Sequence, residues 1–266
     1  MSSAPSFNEF QVDRARVRIC ASREELGRAA AQRAVEVISG AIRRKGQARI
    51  IVATGNSQIP SIHALVESAV DWSRVDVFHM DEYIGLSPDH PASFRRWIRE
   101  RVAEKVHPRN VFYLAADAAD LKAEVERYSK LLLAAPIDAA FLGFGENGHI
   151  AFNDPPFADF NDPATVKEVV LDAASRRQQV GEGHFPDLSS VPEKALTITC
   201  PGLFRAAHWI CSVPERRKAE AVRNALTLEI SEKCPATLVR RHPDARVFLD
   251  RESASLLKQA SSFVSH

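Results

Sequence analysis

Short, almost wholly apolar runs alternate with amphipathic stretches along most of this chain, and that alternation narrows the folds open to it. Runs at 49–53, 75–80, 137–143 and 208–213 carry apolar residues at consecutive positions rather than every second one. Such strands are buried on both faces, which requires a parallel sheet covered by helices on either side. The segments between them read as helices over 60–70, 93–106, 120–133 and 214–226, long enough for the crossovers that parallel strands need. The fold class expected is therefore α/β: a three-layer, Rossmann-like, open and mostly parallel sheet with helices on both faces, plus a small lid segment. One domain is expected over residues 1–266.

Finer punctuation follows from caps and breakers. Residues 1–15 read as an irregular lead-in to a strand at 16–20. Ser22 with Glu25 three places later forms a capping box, opening a helix through 38 that Gly40 or the basic run 43–46 closes. Strands are expected at 111–114, 166–171, 195–199 and 246–249, a short helix at 235–241 and a terminal helix at 252–259. The stretch between the strands at 166–171 and 195–199 contains Gly181, Gly183, Pro186 and Pro192 and reads as a loop.

With 266 residues, 45% of them hydrophobic and 26% charged, the chain can bury a core without staples. A net charge of +1 gives no reason to expect nucleic acid or a membrane surface as partner. Its four cysteines lack a Cys-x-x-Cys spacing and read as buried thiols of a reducing compartment. With no signal-peptide pattern and no apolar run of about 20 residues, a cytoplasmic location is expected.

Polar residues gather at three strand ends. After 139–142 comes Phe144-Gly145-Glu146-Asn147-Gly148-His149-Ile150-Ala151-Phe152-Asn153-Asp154-Pro155, whose imidazole, carboxamide and carboxylate suit proton transfer near neutrality. After 49–53, Thr54-Gly55-Asn56-Ser57 opens a helix and suits a phosphate, or is only a cap. After 75–80 come Asp81 and Glu82, a base and its orienting partner, or a solvated acidic turn. In an open parallel sheet, ligands bind beyond the carboxyl ends of the strands, so the three clusters can share one crevice. Lys218 at another strand exit is placed to reach a phosphate, while Arg216 and Arg217 read as solvated. No P-loop or dinucleotide fingerprint is present, and His79, His90 and His184 have no metal-ligand spacing with His149, so neither metal nor cofactor is expected.

Met80-Asp81-Glu82-Tyr83-Ile84-Gly85-Leu86, then His90-Pro91-x-Ser93-Phe94, then the Gly145 to Pro155 segment resemble, in collinear order, the signatures of glucosamine-6-phosphate deaminases. The resemblance runs from about residue 20 to 258. Phosphogluconolactonases share the fold and a Gly-His turn but continue it differently and lack the Met-Asp-Glu-Tyr segment. The resemblance implies a cofactor-free hydrolase/isomerase that converts glucosamine 6-phosphate, or a close 2-amino-2-deoxyhexose 6-phosphate, to fructose 6-phosphate and ammonia. It implies that Asp81 moves a proton between carbons 2 and 1, and that His149 opens the pyranose ring. Asn147 and Asp154 would hold the imidazole. Thr54, Gly55, Asn56, Ser57, Glu82, Gly148, His184 and Lys218 would bind substrate or its phosphate. The partner implied is a small amino-sugar phosphate, with a homo-oligomer possible, and the loop after Asp81 with the basic helix from Ser93 would be the lid.

The chain also departs from the pattern. Asp154 stands where many members have Glu, Asn147 where some have Asp, and Asn56 where glycine is frequent. The family's phosphate-binding arginine before an aromatic pair is missing; alignment offers His184 in its place, with Arg177 upstream as a substitute. The basic segment of allosteric members is absent near 156–168. Two alternatives therefore stand beside the deaminase: a 6-phosphogluconolactonase-like hydrolase, and a catalytically silent sugar-phosphate-binding regulatory protein.

Overall fold

A computed structural model of the chain describes residues 8–155 and 157–257. Its strands, in chain order, are β1 (Asn8–Val12), β2 (Ala15–Cys20), β3 (Ala48–Val52), β4 (Val75–His79), β5 (Asp81–Tyr83), β6 (Asn110–Phe112), β7 (Ala139–Leu142), β8 (Val166–Val170), β9 (Lys194–Ile198), β10 (His208–Val213) and β11 (Ala245–Asp250). Eight of these form one sheet in the order β1-β2-β11-β10-β7-β3-β4-β6, and β5-β9-β8 form a second, antiparallel one. The large sheet is parallel except for the β1–β2 hairpin at its edge.

The strand order reverses between β3 and β7. From β3 the chain winds outward through β4 to β6; from β7 it winds the other way through β10 and β11. A crevice opens at such a switch point, outside the carboxyl ends of the two diverging strands. Every residue of β3, β4 and β7 is buried, as expected for strands with helices packed on both faces.

Helix α1 (Arg23–Lys45) begins as the capping box requires. The Ser22 hydroxyl accepts from the Glu25 N–H at 3.2 Å, and the Glu25 carboxylate accepts from the Ala21 N–H at 2.9 Å. Of the two expected stops the helix passes Gly40 and takes the basic run 43–46, because Gly40 and Ala41 continue its buried face; burial outweighs the ~1 kcal/mol cost of an interior glycine. Gly46, in the left-handed conformation, ends it. Gly27 of α1 lies against α2 (Ile59–Val66), where a Cβ would stand 2.6 Å from Pro60 Cβ. The two helices touch backbone to side chain there, and this seats the turn that precedes α2.

Two local expectations are corrected, and one helix joins the expected set. The lead-in is not irregular from residue 8 onward: β1 pairs with β2, turning at Asp13, which has φ 50°. The stretch expected as a loop contains α6 (Ala173–Gly181), capped by Asp172, whose side chain accepts from the Ala174 N–H at 2.8 Å. A further helix, α7 (Cys200–Phe204), follows β9 and is capped by the Thr199 hydroxyl accepting from the Gly202 N–H at 3.1 Å.

Between these lie α3 (Phe94–Ile98), a wider π turn (Arg99–Ala103), α4 (Glu104–Val106) and α5 (Leu121–Leu133). The helix expected from Pro214 starts later, as a 3-10 turn (Arg216–Lys218) leading into α8 (Ala219–Thr227). Residues 251–257 form turns, and the last two residues of the expected terminal helix lie outside the described residues. Among the described residues no helix is long and apolar enough to cross a membrane.

Candidate active site

An open cleft of about 580 Å³, counting the space at its mouth, lies at the switch point. Thr54, Gly55 and Ser57 line it from the turn after β3, Met80 and Asp81 from the β4–β5 junction, and Gly143, Phe144, Gly145 and His149 from the loop after β7. Phe94 of α3, Gln178 and Gln179 of α6, Glu182 just beyond α6, and Lys218 after β10 complete the wall. Asp81 and His149, 68 positions apart by subtraction of their numbers, thus face one cavity.

The paired acids divide their work because β5 is extended and successive side chains point to opposite faces. Asp81 faces the cleft. It is only 6% exposed, and among the described residues no hydrogen bond or ion pair reaches its carboxylate. Burial, reinforced by the neighbouring Glu82 charge, holds its pKa well above the ordinary carboxylate value.

Glu82 points the other way and does not line the cleft. Its Oε1 accepts from the N–H groups of Tyr83 (3.0 Å) and Phe94 (3.2 Å). Its Oε2 accepts from the Ser93 hydroxyl (2.8 Å) and the Arg95 N–H (2.9 Å). The expected substrate contact of Glu82 is therefore corrected: this side chain anchors the start of α3, whose first residue, Phe94, forms part of the wall.

The His149 ring rests on Gly145, where a Cβ would come within 2.2 Å of Cε1. Its Nδ1 lies 2.9 Å from the Ser175 hydroxyl and 3.0 Å from Asp154 Oδ1. Ser175 donates in turn to Asp154 Oδ1. The carboxamide of Asn147 bridges the same loop: its Nδ2 donates to Asp154 at 3.1 Å and its Oδ1 accepts from the His149 N–H at 3.0 Å. The Asp172 N–H donates to the other Asp154 oxygen at 3.0 Å. Burial opposes the Asp154 charge, but the imidazole contact, Ser175 and Asn147 outweigh it and hold the carboxyl well below its ordinary range. With Nδ1–H committed to these acceptors, Nε2 is the nitrogen left for a substrate. The shorter Asp side chain therefore still reaches the imidazole, with Ser175 filling in beside it.

Gly148, with φ 85°, lies against Cys234, where a Cβ would stand 2.6 Å from the sulfur. It shapes the loop but does not line the cleft. Gln58 fastens the 54–57 turn from behind, donating to Ser57 Oγ (3.1 Å), the Leu142 carbonyl (3.3 Å) and the Ser212 carbonyl (3.1 Å). Asn56 turns away from the cleft: its Nδ2 donates to the Glu182 carbonyl at 3.3 Å.

At the same end Lys218, 3% exposed, stands 3.9 Å from Glu182. Burial lowers its pKa, partly countered by Glu182. Neither His184 nor Arg177 lines the cleft; His184 Nε2 instead lies 3.4 Å from Glu182 Oε2. The basic group beside Lys218 is Arg217, expected to be solvated but found 2.7 Å from Glu182, 2.6 Å from Glu215 and 3.3 Å from Glu146. Among the described residues no cluster of His, Cys, Asp and Glu could hold a metal ion.

The model of the family described as glucosamine-6-phosphate isomerases/6-phosphogluconolactonase matches residues 21–248. The chain belongs to that family. Among its relatives is the glucosamine-6-phosphate deaminase of Exiguobacterium sibiricum, 34% identical over 206 residues, which are 77% of this chain and 80% of that protein. A Bacillus cereus glucosamine-6-phosphate deaminase is 31% identical over 230 residues, 86% of each chain. A solved structure of a monomeric glucosamine-6-phosphate deaminase superposes with a TM-score of 0.82 at 32% identity, covering 90% of this chain and 99% of that one. The 6-phosphogluconolactonase of Shewanella baltica shares the fold, with a TM-score of 0.72 at 18% identity over 88% of this chain and 97% of that one.

Within this family frame, the polar residues of the site that sequence reasoning missed lie on α6 and its end: Gln178, Gln179 and Glu182 in the wall, and Ser175 against His149. Arg176-Arg177-Gln178-Gln179 followed by two glycines carries no apolar period, so nothing local marks it as a helix over a cavity. The one signal available was Asp172, an N-cap residue directly before a run free of Gly and Pro.

Proposed function

We propose that this chain is an isomerising deaminase that converts glucosamine 6-phosphate, or a close 2-amino-2-deoxyhexose 6-phosphate, to fructose 6-phosphate and ammonia. The observation that carries the reading is the shared cleft. A buried carboxylate, unpartnered among the described residues, and an imidazole with one nitrogen already committed stand on the same cavity. The deaminase relatives support it.

The sequence of steps follows from the groups present. His149 Nε2 accepts the proton of the anomeric hydroxyl and delivers one to the ring oxygen, so the pyranose opens to the free aldehyde. Carbon 2 now lies beside a carbonyl, and its proton is acidified. Asp81 takes that proton while the carbonyl oxygen gains one from the substrate's ammonium, giving an enolamine; Asp81 then returns its proton to carbon 1, giving the protonated ketimine. Water adds to the ketimine carbon and ammonia leaves.

The raised pKa of Asp81 makes its carboxylate a stronger base than an exposed one, suited to a carbon acid. The substrate's amino group, if it binds as the ammonium, supplies the counter-charge that helps the carboxylate ionise. Glu82 and Phe94 hold that side of the wall rigid, which keeps the base near the roughly 3 Å separation that proton transfer needs.

Purified protein incubated with glucosamine 6-phosphate is expected to release ammonia and fructose 6-phosphate in equal amounts. The Asp81→Asn variant is expected to release neither. Hydrolysis of 6-phosphogluconolactone without ammonia release from the amino sugar would overturn the reading in favour of a lactonase. Binding of both sugar phosphates without turnover would overturn it in favour of a regulatory protein.

A further inference from the structure

The two adjacent glutamines of α6 have different surroundings, although both reach the cleft wall. Successive residues of a helix point about 100° apart, so Gln178 and Gln179 leave the α6 axis in different directions. The Gln178 carboxamide is engaged at both ends. Its Oε1 accepts from the Glu146 N–H at 2.9 Å and its Nε2 donates to Glu182 at 2.8 Å, which ties α6 to the loop that carries His149.

Gln179 lies one helical turn beyond Ser175, on the same face, and the Ser175 hydroxyl stands 2.9 Å from His149 Nδ1. The residue is 6% exposed and lines the cleft. Its backbone carbonyl accepts from the His184 N–H at 3.0 Å. Among the described residues, however, no hydrogen bond or ion pair reaches its carboxamide. A polar group withdrawn from bulk solvent is normally paired, so whatever fills the cleft must complete this one. A ligand that expels water from the cleft has to replace the hydrogen bonds the water made.

The chemistry of the group narrows what that ligand atom can be. Unlike Asp81 and Lys218 on the same wall, Gln179 carries no charge, so it has no particular call on an ammonium or a phosphate. A carboxamide offers a donor and an acceptor side by side, and a hydroxyl is both at once. In the pyranose form of a 2-amino-2-deoxyhexose 6-phosphate, the anomeric hydroxyl belongs to the reaction. The hydroxyls on carbons 3 and 4 are the ones left over.

We propose that Gln179 is a specificity-determining residue that hydrogen-bonds the sugar hydroxyl on carbon 3 or carbon 4. The inference rests on the deaminase reading for its substrate class. A site with a buried group aimed at a hydroxyl rejects the analogue that lacks it, because the protein's own group is then left unpaired. A contact at carbon 4 also separates the gluco from the galacto configuration, which differ there.

The test uses Gln179→Met, which keeps the length of the side chain and suits a helix but removes both hydrogen-bonding groups. The unaltered protein and the variant are compared on glucosamine 6-phosphate and on its 3-deoxy and 4-deoxy analogues. In the unaltered protein one analogue is expected to fall about tenfold or more in kcat/KM below the parent sugar. In Gln179→Met that penalty is expected to vanish while the ratio for the other analogue stays. A merely structural role would lower kcat/KM for all three sugars alike, and ratios unchanged by the substitution overturn the proposal. Calorimetric dissociation constants give the same ratios without turnover. Binding of the sugars with no ammonia released would therefore sink the deaminase reading, while the ratios still decide the role of Gln179.

Discussion

Gly145 leaves the hole that the His149 ring fills: a Cβ at that position would stand 2.3 Å from Nδ1 and 2.4 Å from Nε2. The glycine after the strand is thus required by the imidazole seated on it, beyond any turn geometry. Gly145→Ala is expected to push the ring off its acceptors and to lower kcat by on the order of 10²-fold, the usual consequence of displacing a catalytic group by about 1 Å. Steady-state ammonia release checks this, and a variant within twofold of the unaltered protein would show that the ring position is not critical.

Asp81, the proposed base, also carries a pH signature. Its carboxyl is held above the value it has in the unfolded chain, so the folded state keeps a proton that the unfolded state gives up. Stability therefore falls as pH rises from the ordinary carboxylate range through the folded value, and remains lowered above it. Asp81→Asn removes that cost and is expected to melt at a higher temperature at neutral pH, by an amount on the order of 1 kcal/mol, with the gap closing in acid. In the unaltered enzyme the acid limb of the kcat/KM profile is expected above the ordinary carboxylate range, because the base must be ionised to act.

The Asp154 carboxylate and the Ser175 hydroxyl fix which nitrogen of His149 carries the proton. Asp154→Asn preserves size but can present an amide N–H to Nδ1, favouring the wrong tautomer. A kcat loss on the order of 10³-fold is expected, with little change in KM. Ser175→Ala leaves the carboxylate in place and is expected to cost about tenfold. Equal losses in the two variants would contradict the division of labour drawn here.

Glu82 is expected to matter for stability first. Glu82→Ala strips the acceptor from the Ser93 hydroxyl and the N–H groups of Phe94 and Arg95, all at a buried helix start. A loss of about 2–4 kcal/mol is expected in chemical denaturation. A variant as stable as the parent would mean that water replaces the carboxylate there.

The architecture was legible because β3, β4 and β7 are buried on both faces, and continuous burial writes itself into a sequence as continuous apolarity. The Asp81 and His149 loops were legible for a related reason: acids and histidines at the ends of such strands stand out against them. The wall contributed by α6 was not, since its polar side chains face one another and the cleft rather than a core. Ser175 in particular has no sequence signal, because its partners His149 and Asp154 are brought to it only by the docking of α6. Edge strand β1 was hidden for the opposite reason, its single hairpin partner demanding little apolar patterning.

The three-residue strand β5 has one further consequence. It sorts two chemically similar neighbours, one to the cleft as the proposed base and one to a structural anchor, by pleat alone. A slip of β5 by a single position against β9 would exchange them, sending Glu82 into the cleft and leaving α3 unmoored. Alignment of this strand is therefore as decisive for chemistry as the identity of the acid, and insertions or deletions between residues 80 and 83 are the lesions this enzyme can least absorb.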